Sequence, residues 1–149
     1  MKFILEAGAI YREDESLGFI LYTADIKMKQ HFQGKIKLFK ITPEQWAILS
    51  RLFEEDGISQ KELSEKTLKD QAALTRTLDR MEKRELIKRK VSPNDRRSFL
   101  VHLTDAGQTM RSKIGPIAAE CSEEAVKGFT EEEVKVLKKL LRKTILNFS

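Results

Sequence analysis

Residues 59–97 read SQKELSEKTLKDQAALTRTLDRMEKRELIKRKVSPNDRR, and the way this stretch divides decides the fold. Ser59 stands three residues ahead of Glu62, the spacing of a helix-capping box, and predicts a short helix through Lys66. A second helix is predicted from about Lys69 or Asp70 to Arg84, with Leu74, Leu78 and Met81 at the i, i+4, i+7 spacing of an inward face. Its other side carries Thr75, Arg76, Asp79, Arg80 and Lys83. Two short helices separated by a few residues, the second polar and basic outside, have the pattern of a helix-turn-helix. Leu86 to Val91 and Phe99 to Leu103 then read as strands, and Ser92, Pro93, Asn94 and Asp95 between them are turn formers, so a β-hairpin follows.

Working outward, Thr42 and Pro43 pair an N-cap with a proline at the first helical position, where its missing N–H removes no bond. Trp46, Leu49, Leu52 and Phe53 line one face of that helix, which Glu54 to Gly57 ends; Ile58 is a short extended residue. From Ser16 to about Phe32, Leu17, Leu21, Ala24, Met28 and Phe32 form one apolar stripe, and Phe19, Tyr22 and Ile26 a second. Gly34 and the lysine-rich stretch after it are expected to close this helix. A helix apolar on two faces has to bury both, and a partner subunit is the economical cover for the second. Downstream, Thr104 and Asp105 open a helix carrying Met110, Ile114, Ile117, Ala118, Cys121 and Ala125, with a bend expected at Gly115 and Pro116. Thr130 and Glu133 cap a last helix striped by Val134, Leu137, Leu141, Ile145 and Phe148.

A chain of 149 residues, 40% apolar and 34% charged, fits a single globular domain over 1–149. Its longest apolar runs fall far short of the roughly 18 residues of a membrane span, and Glu6 soon interrupts Met1, Lys2 and Phe3, so neither a membrane segment nor a secretory signal is expected. The single cysteine, Cys121, excludes an internal disulfide; a soluble protein in the reducing cytoplasm is the expectation. Cys121 is read as a core residue and His31 as a helix-surface residue. With two histidines in no ligand spacing, no glycine-rich phosphate loop and no catalytic arrangement, neither metal nor cofactor nor enzymatic activity is expected.

The net charge of +5 is modest, but its placement is not. Residues 75–97 hold nine basic side chains against four acidic ones, and the rest of the chain balances at 19 of each. Positive charge gathered in one place is what a phosphate-binding face requires. A major groove admits one α-helix, whose first turns then meet base edges while its amide dipoles face phosphate. Gln71, Thr75 and Arg76 lie in the first two turns of the second helix, and the Arg76 fork suits a guanine edge. At the hairpin tip, Arg96 is the candidate for the narrow, electronegative minor groove, with Asp95 and Arg97 pairing to hold the loop. The candidate DNA-contacting set is Ser59, Gln60, Lys69, Gln71, Ala73, Thr75, Arg76, Arg80, Asp95, Arg96 and Arg97. The alternative is a winged helix that binds protein and touches no DNA.

The segments ITPEQWAIL, ISQKELSEK, ALTRTLDRMEKRELIKR and SPNDRRSFLVHLTDAG, from Ile41 to Met110, resemble the winged helix-turn-helix core of the MarR family. Most specific are the run Asp95-Arg96-Arg97 with His102-Leu103-Thr104 after it, and the run Leu74 to Met81 ahead of Leu86-Ile87. The resemblance implies a mainly α fold with a small β-hairpin wing. In it a DNA-binding lobe over about 41–104 is flanked by dimerisation helices at about 1–40 and 105–149. It implies a homodimeric repressor, less often an activator, at a pseudo-palindromic double-stranded operator. Control would come from a small aromatic or phenolic effector bound between lobe and dimer helices, for which Phe19, Tyr22, Trp46 and Phe53 are available lining; no ligand residue is assigned. It also implies Arg76 as the base contact, Arg96 as the minor-groove arginine, and Asp95 with Arg97 as the wing brace. Two departures stand out. Glu85 replaces the glycine that family members commonly place ahead of the hairpin, and no cysteine precedes Cys121, which removes the family's N-terminal peroxide sensor.

Overall fold

Threonine caps set the starts of three helices. Thr42 accepts from the Gln45 amide while the Gln45 side chain accepts from the Thr42 amide, a full capping box, and Thr130 with Glu133 forms another. Thr104 accepts from the Gly107 amide. A computed structural model describes residues 16–149, so the reading of Met1 to Glu6 lies outside the described residues. The elements are α1 (Leu17–Ile36), a 3-10 turn (Lys37–Phe39), α2 (Pro43–Glu54), β1 (Ile58–Ser59), α3 (Gln60–Thr67), α4 (Gln71–Lys83), β2 (Ile87–Val91), β3 (Phe99–Leu103), α5 (Asp105–Ala125) and α6 (Glu131–Leu146). This is the mainly α winged helix expected. No helix among the described residues is long and apolar enough to cross a membrane.

Three details differ from the sequence reading. α1 does not stop near Gly34 but continues to Ile36, which is fully buried and holds the last turn against the core. Ile58 and Ser59 form a strand paired with Val101 and Leu100, so the predicted hairpin belongs to a three-stranded antiparallel sheet of order β1-β3-β2. Ser59 caps α3 by accepting from the Glu62 amide; the reciprocal bond from Glu62 is not formed, so this is a single cap rather than a box.

The core lies where α2, α3 and α4 meet the sheet, through Leu49, Leu52, Leu63, Leu74, Leu78 and Val101, all fully buried. Phe32 and Ile36 of α1 and Ile114 of α5 join it, which anchors both long helices to the lobe. α5 is one continuous helix across Gly115 and Pro116. Arg111 of α5 lays its guanidinium over the Phe53 ring at 4.1 Å, a cation–π contact that secures α5 on α2. By contrast, α6 buries no residue within the protomer, and Ile145 and Phe148 of its predicted stripe are 64% and 88% exposed.

The join between α4 and the wing is a tight left-handed stop. The Leu86 amide donates to the Met81 carbonyl at 3.0 Å and the Glu85 amide to the Glu82 carbonyl at 2.9 Å, the paired bonds of a Schellman motif. Glu85 sits at φ 58°, a conformation that favours glycine, so the departure from the family pattern places a side chain with a Cβ in a left-handed position. Gly107, in the first turn of α5, packs directly on this join: a Cβ there would lie 2.1 Å from the Leu86 carbonyl oxygen. Thr104 donates its hydroxyl to the Glu85 carbonyl from the same turn.

Candidate nucleic-acid interface

α4 begins at Asp70, whose carboxylate accepts from the Ala73 amide at 2.8 Å. Leu74, Leu78 and Met81 face the core, which turns Gln71, Arg76 and Arg80 into solvent on the other side. The guanidinium groups of Arg76 and Arg80 form no ion pair with any described side chain. The acids of α4 are held elsewhere. Arg89 of β2 donates to Asp79 at 2.5 Å and to Glu82 at 3.1 Å, and its amide donates to Glu82 at 3.0 Å. These bonds from Arg89 hold the Glu82 carboxyl below the usual carboxylate range. Arg89 thus satisfies the only two acids within α4, and the exposed basic side chains of that helix keep their charge for an outside partner. In the sequence Arg89 is one of the nine basic residues of the 75–97 stretch; only the pairing of β2 beside α4 shows its role.

The remaining predicted contacts divide by what already holds them. The Gln60 amide donates to the Thr75 hydroxyl at 2.7 Å, and that hydroxyl donates to the Gln71 carbonyl at 2.8 Å. Gln60 and Thr75 therefore join α3 to α4, and the Ser59 hydroxyl is engaged as the α3 cap. Lys69 is half-buried in the turn between the helices, where its carbonyl accepts from Ser64, and Ala73 is half-buried behind the exposed face. In the wing, Asp95 holds the loop as expected but by another route. Its carboxylate accepts from the Arg97 backbone amide at 2.9 Å, and the Ser98 amide donates to the Asp95 carbonyl at 3.0 Å. No Asp95–Arg97 side-chain ion pair forms among the described residues, so the Arg96 and Arg97 side chains are both exposed and uncommitted. A carboxylate that accepts from the main chain two residues on is a compact Asx turn, and proline beside it stiffens the tip.

A cleft of about 510 Å³ opens between α1, α2 and α5, lined by Met28, Phe32, Trp46, Ala118 and Cys121 among others. Of the four aromatic residues singled out in the sequence only Trp46 lines it. Phe53 is beneath Arg111, and Phe19 and Tyr22 lie on the exposed first half of α1. At the cleft wall, His31 is 2.7 Å from the Glu124 carboxylate, and Cys121 is beside both. Sequence spacing shows no such grouping, because His31 and Glu124 are 93 residues apart. His102 sits at the base of β3, 3.3 Å from Asp56, whose other oxygen accepts from the Leu103 amide at 2.7 Å.

Comparison with known proteins agrees with this geometry. Residues 41–99 match the sequence pattern described as the MarR family. The chain is 30% identical over 135 residues to the HTH-type transcriptional regulator MgrA of Staphylococcus aureus, covering 90% of each. Among solved structures, a cysteine-to-serine mutant of E. coli MarR complexed with operator DNA superposes with a TM-score of 0.84 at 28% identity, covering 91% of this chain and 97% of that one. Bordetella bronchiseptica BpsR, whose DNA binding is regulated by 6-hydroxynicotinic acid, superposes with a TM-score of 0.80 at 28% identity, covering 85% and 96%. A helix-turn-helix with a cationic outer face, a short wing and long flanking helices, matched over nine-tenths of its length, identifies this chain as a member of the MarR family of winged helix-turn-helix, DNA-binding transcription regulators.

Proposed function

We propose that the chain works as a homodimeric repressor at a pseudo-palindromic operator. α4 lies in the major groove, with Arg76 on a base edge and Arg80 on phosphate, and the wing presents Arg96 to the neighbouring minor groove. The observation that carries this reading is the division of charge on α4: Asp79 and Glu82 are taken up by Arg89, while Arg76 and Arg80 remain exposed and unpaired among the described side chains. In the dimer, α1, α5 and α6 form the shared helical layer and residues 41–104 the DNA-binding lobe. The exposed apolar stripe of α6 and the exposed Leu17, Ile20 and Tyr22 of α1 support that division, since apolar side chains in such numbers favour a covering surface. A small aromatic or phenolic molecule in the cleft beside Trp46 releases the operator by favouring a different spacing of the two lobes, which requires unequal affinity for the two states. A DNA target inside the cell makes the cytoplasm its place of work.

Selection of bound duplexes from a random pool tests the reading. An inverted repeat with half-site centres about one helical turn apart, or a multiple of it, is the expected product. A single unrepeated site, or a particle that stays monomeric in sedimentation at operator saturation, would remove the dimeric reading.

A further inference from the structure

The chain has one cysteine and two histidines, and folding brings the cysteine and one histidine to the same carboxylate. Cys121 and Glu124 lie three residues apart, on one face of α5, and His31 reaches them from α1. The His31 Nε2, the Cys121 Sγ and a Glu124 oxygen all lie within 4.8 Å of one another. We propose that His31, Cys121 and Glu124 form a zinc site that clips α1 to α5, with the fourth position open to the cleft for water or a donor atom of a molecule bound there.

The donor set selects the metal. A thiolate, an imidazole and a carboxylate together suit Zn²⁺ rather than Mg²⁺ or Ca²⁺, which take oxygen ligands. In a tetrahedral zinc site, with metal–ligand distances of about 2.0–2.3 Å, the donor atoms stand roughly 3.3–3.8 Å apart. The His31–Glu124 contact of 2.7 Å therefore opens slightly and Cys121 closes in, both by side-chain rotation. Lys35 lies 3.9 Å from Glu124 Oε1, on the oxygen that does not meet His31, so Oε2 remains the ligating atom. All three residues line the cleft, which leaves one coordination direction facing its interior, the arrangement of zinc sites that keep an exchangeable ligand. Zinc binds the thiolate, so a neutral Cys121 thiol gives its proton to solvent as the metal binds.

The single cysteine makes the test direct. Zinc chloride is titrated against the whole protein while the reaction of Cys121 with an aromatic disulfide reagent is timed; at a free Zn²⁺ concentration ten times Kd the reaction slows about tenfold, and a chelator restores it. Cobalt chloride in place of zinc gives one thiolate-to-cobalt charge-transfer band per protomer with the visible bands of a tetrahedral ion. Cys121→Ser abolishes that band, and His31→Gln and Glu124→Gln each weaken zinc binding by at least about tenfold. Thiol reactivity in the wild-type protein that is indifferent to zinc overturns the proposal. So does protection that survives both His31→Gln and Glu124→Gln, which marks a thiol binding metal alone.

Discussion

The side-chain amide of Gln60 donates to the hydroxyl of Thr75 at 2.7 Å, tying the first residue of α3 to the second turn of α4. The Thr75 hydrogen is given to the Gln71 carbonyl and one of its two lone pairs accepts from Gln60, so a single lone pair is left to offer. Both residues belong to the candidate DNA-contacting set, and their bond also braces the angle between the two helices. Gln60→Ala and Thr75→Val are each expected to lose about 0.5–1.5 kcal/mol of stability, with the double variant little worse than either. Urea unfolding of the four proteins measures it, and fully additive losses would show the bond to be without weight.

Arg76 and Arg96 are expected to fail in different ways. Arg76→Ala should remove about 1–3 kcal/mol of discrimination between the operator and a sequence changed at one position. Arg96→Ala should weaken all sequences more evenly and reduce the slope of log K against log salt by about 1. Competition binding at several salt concentrations separates the two. An evenly spread loss for Arg76→Ala would take the base contact away from that residue.

Backbone geometry at the wing joint gives two substitutions of opposite sign. Glu85 is exposed in a left-handed conformation, and Glu85→Gly should raise stability by about 1 kcal/mol, whereas Glu85→Ala should give no such gain. Gly107→Ala forces a methyl into the Leu86 carbonyl and should destabilise by about 1–3 kcal/mol or more. Unfolding midpoints at fixed m decide both, and a Gly107→Ala protein as stable as the wild type would contradict the contact.

The Arg89 bonds to α4 carry a pH signature. Glu82 has its carboxyl held low by Arg89, so its contribution is full above the ordinary carboxylate range and is lost as pH falls through the lowered folded value. Arg89→Met should cost about 1–2 kcal/mol at neutral pH, and the gap to wild type should narrow as Glu82 protonates on acidification. Denaturation curves along a falling pH series test the sign; a gap that widens with acid would refute it.

The local rules were legible in the sequence and the long-range pairings were not. Thr42, Thr104 and Thr130 announce their helices because a cap needs only a few neighbouring residues, and the strands of the hairpin follow from alternation and a turn. Gly34 misled because it lies on an exposed helix surface with open space around it, while Ile36 two residues later is drawn into the core. β1 is two residues long and owes its existence to β3, more than 40 residues away. The candidate site divides in the same way. Exposure of Arg76, Arg80 and Arg96 could be read from helical and hairpin periodicity, but the diversion of Asp79 and Glu82 to Arg89, and the meeting of His31 with Cys121 and Glu124, depend on elements that sequence alone does not set side by side.

The contact of Gly107 with the Leu86 carbonyl leaves no slack between the root of the wing and the start of α5. So close a backbone approach ties the first turn of α5 to the root of the hairpin, and a displacement of α5 there presses on the wing directly. On the proposed reading, a molecule wedged between α1 and α5 would therefore reach the root of the wing through this one backbone contact, before it reached any residue of α4.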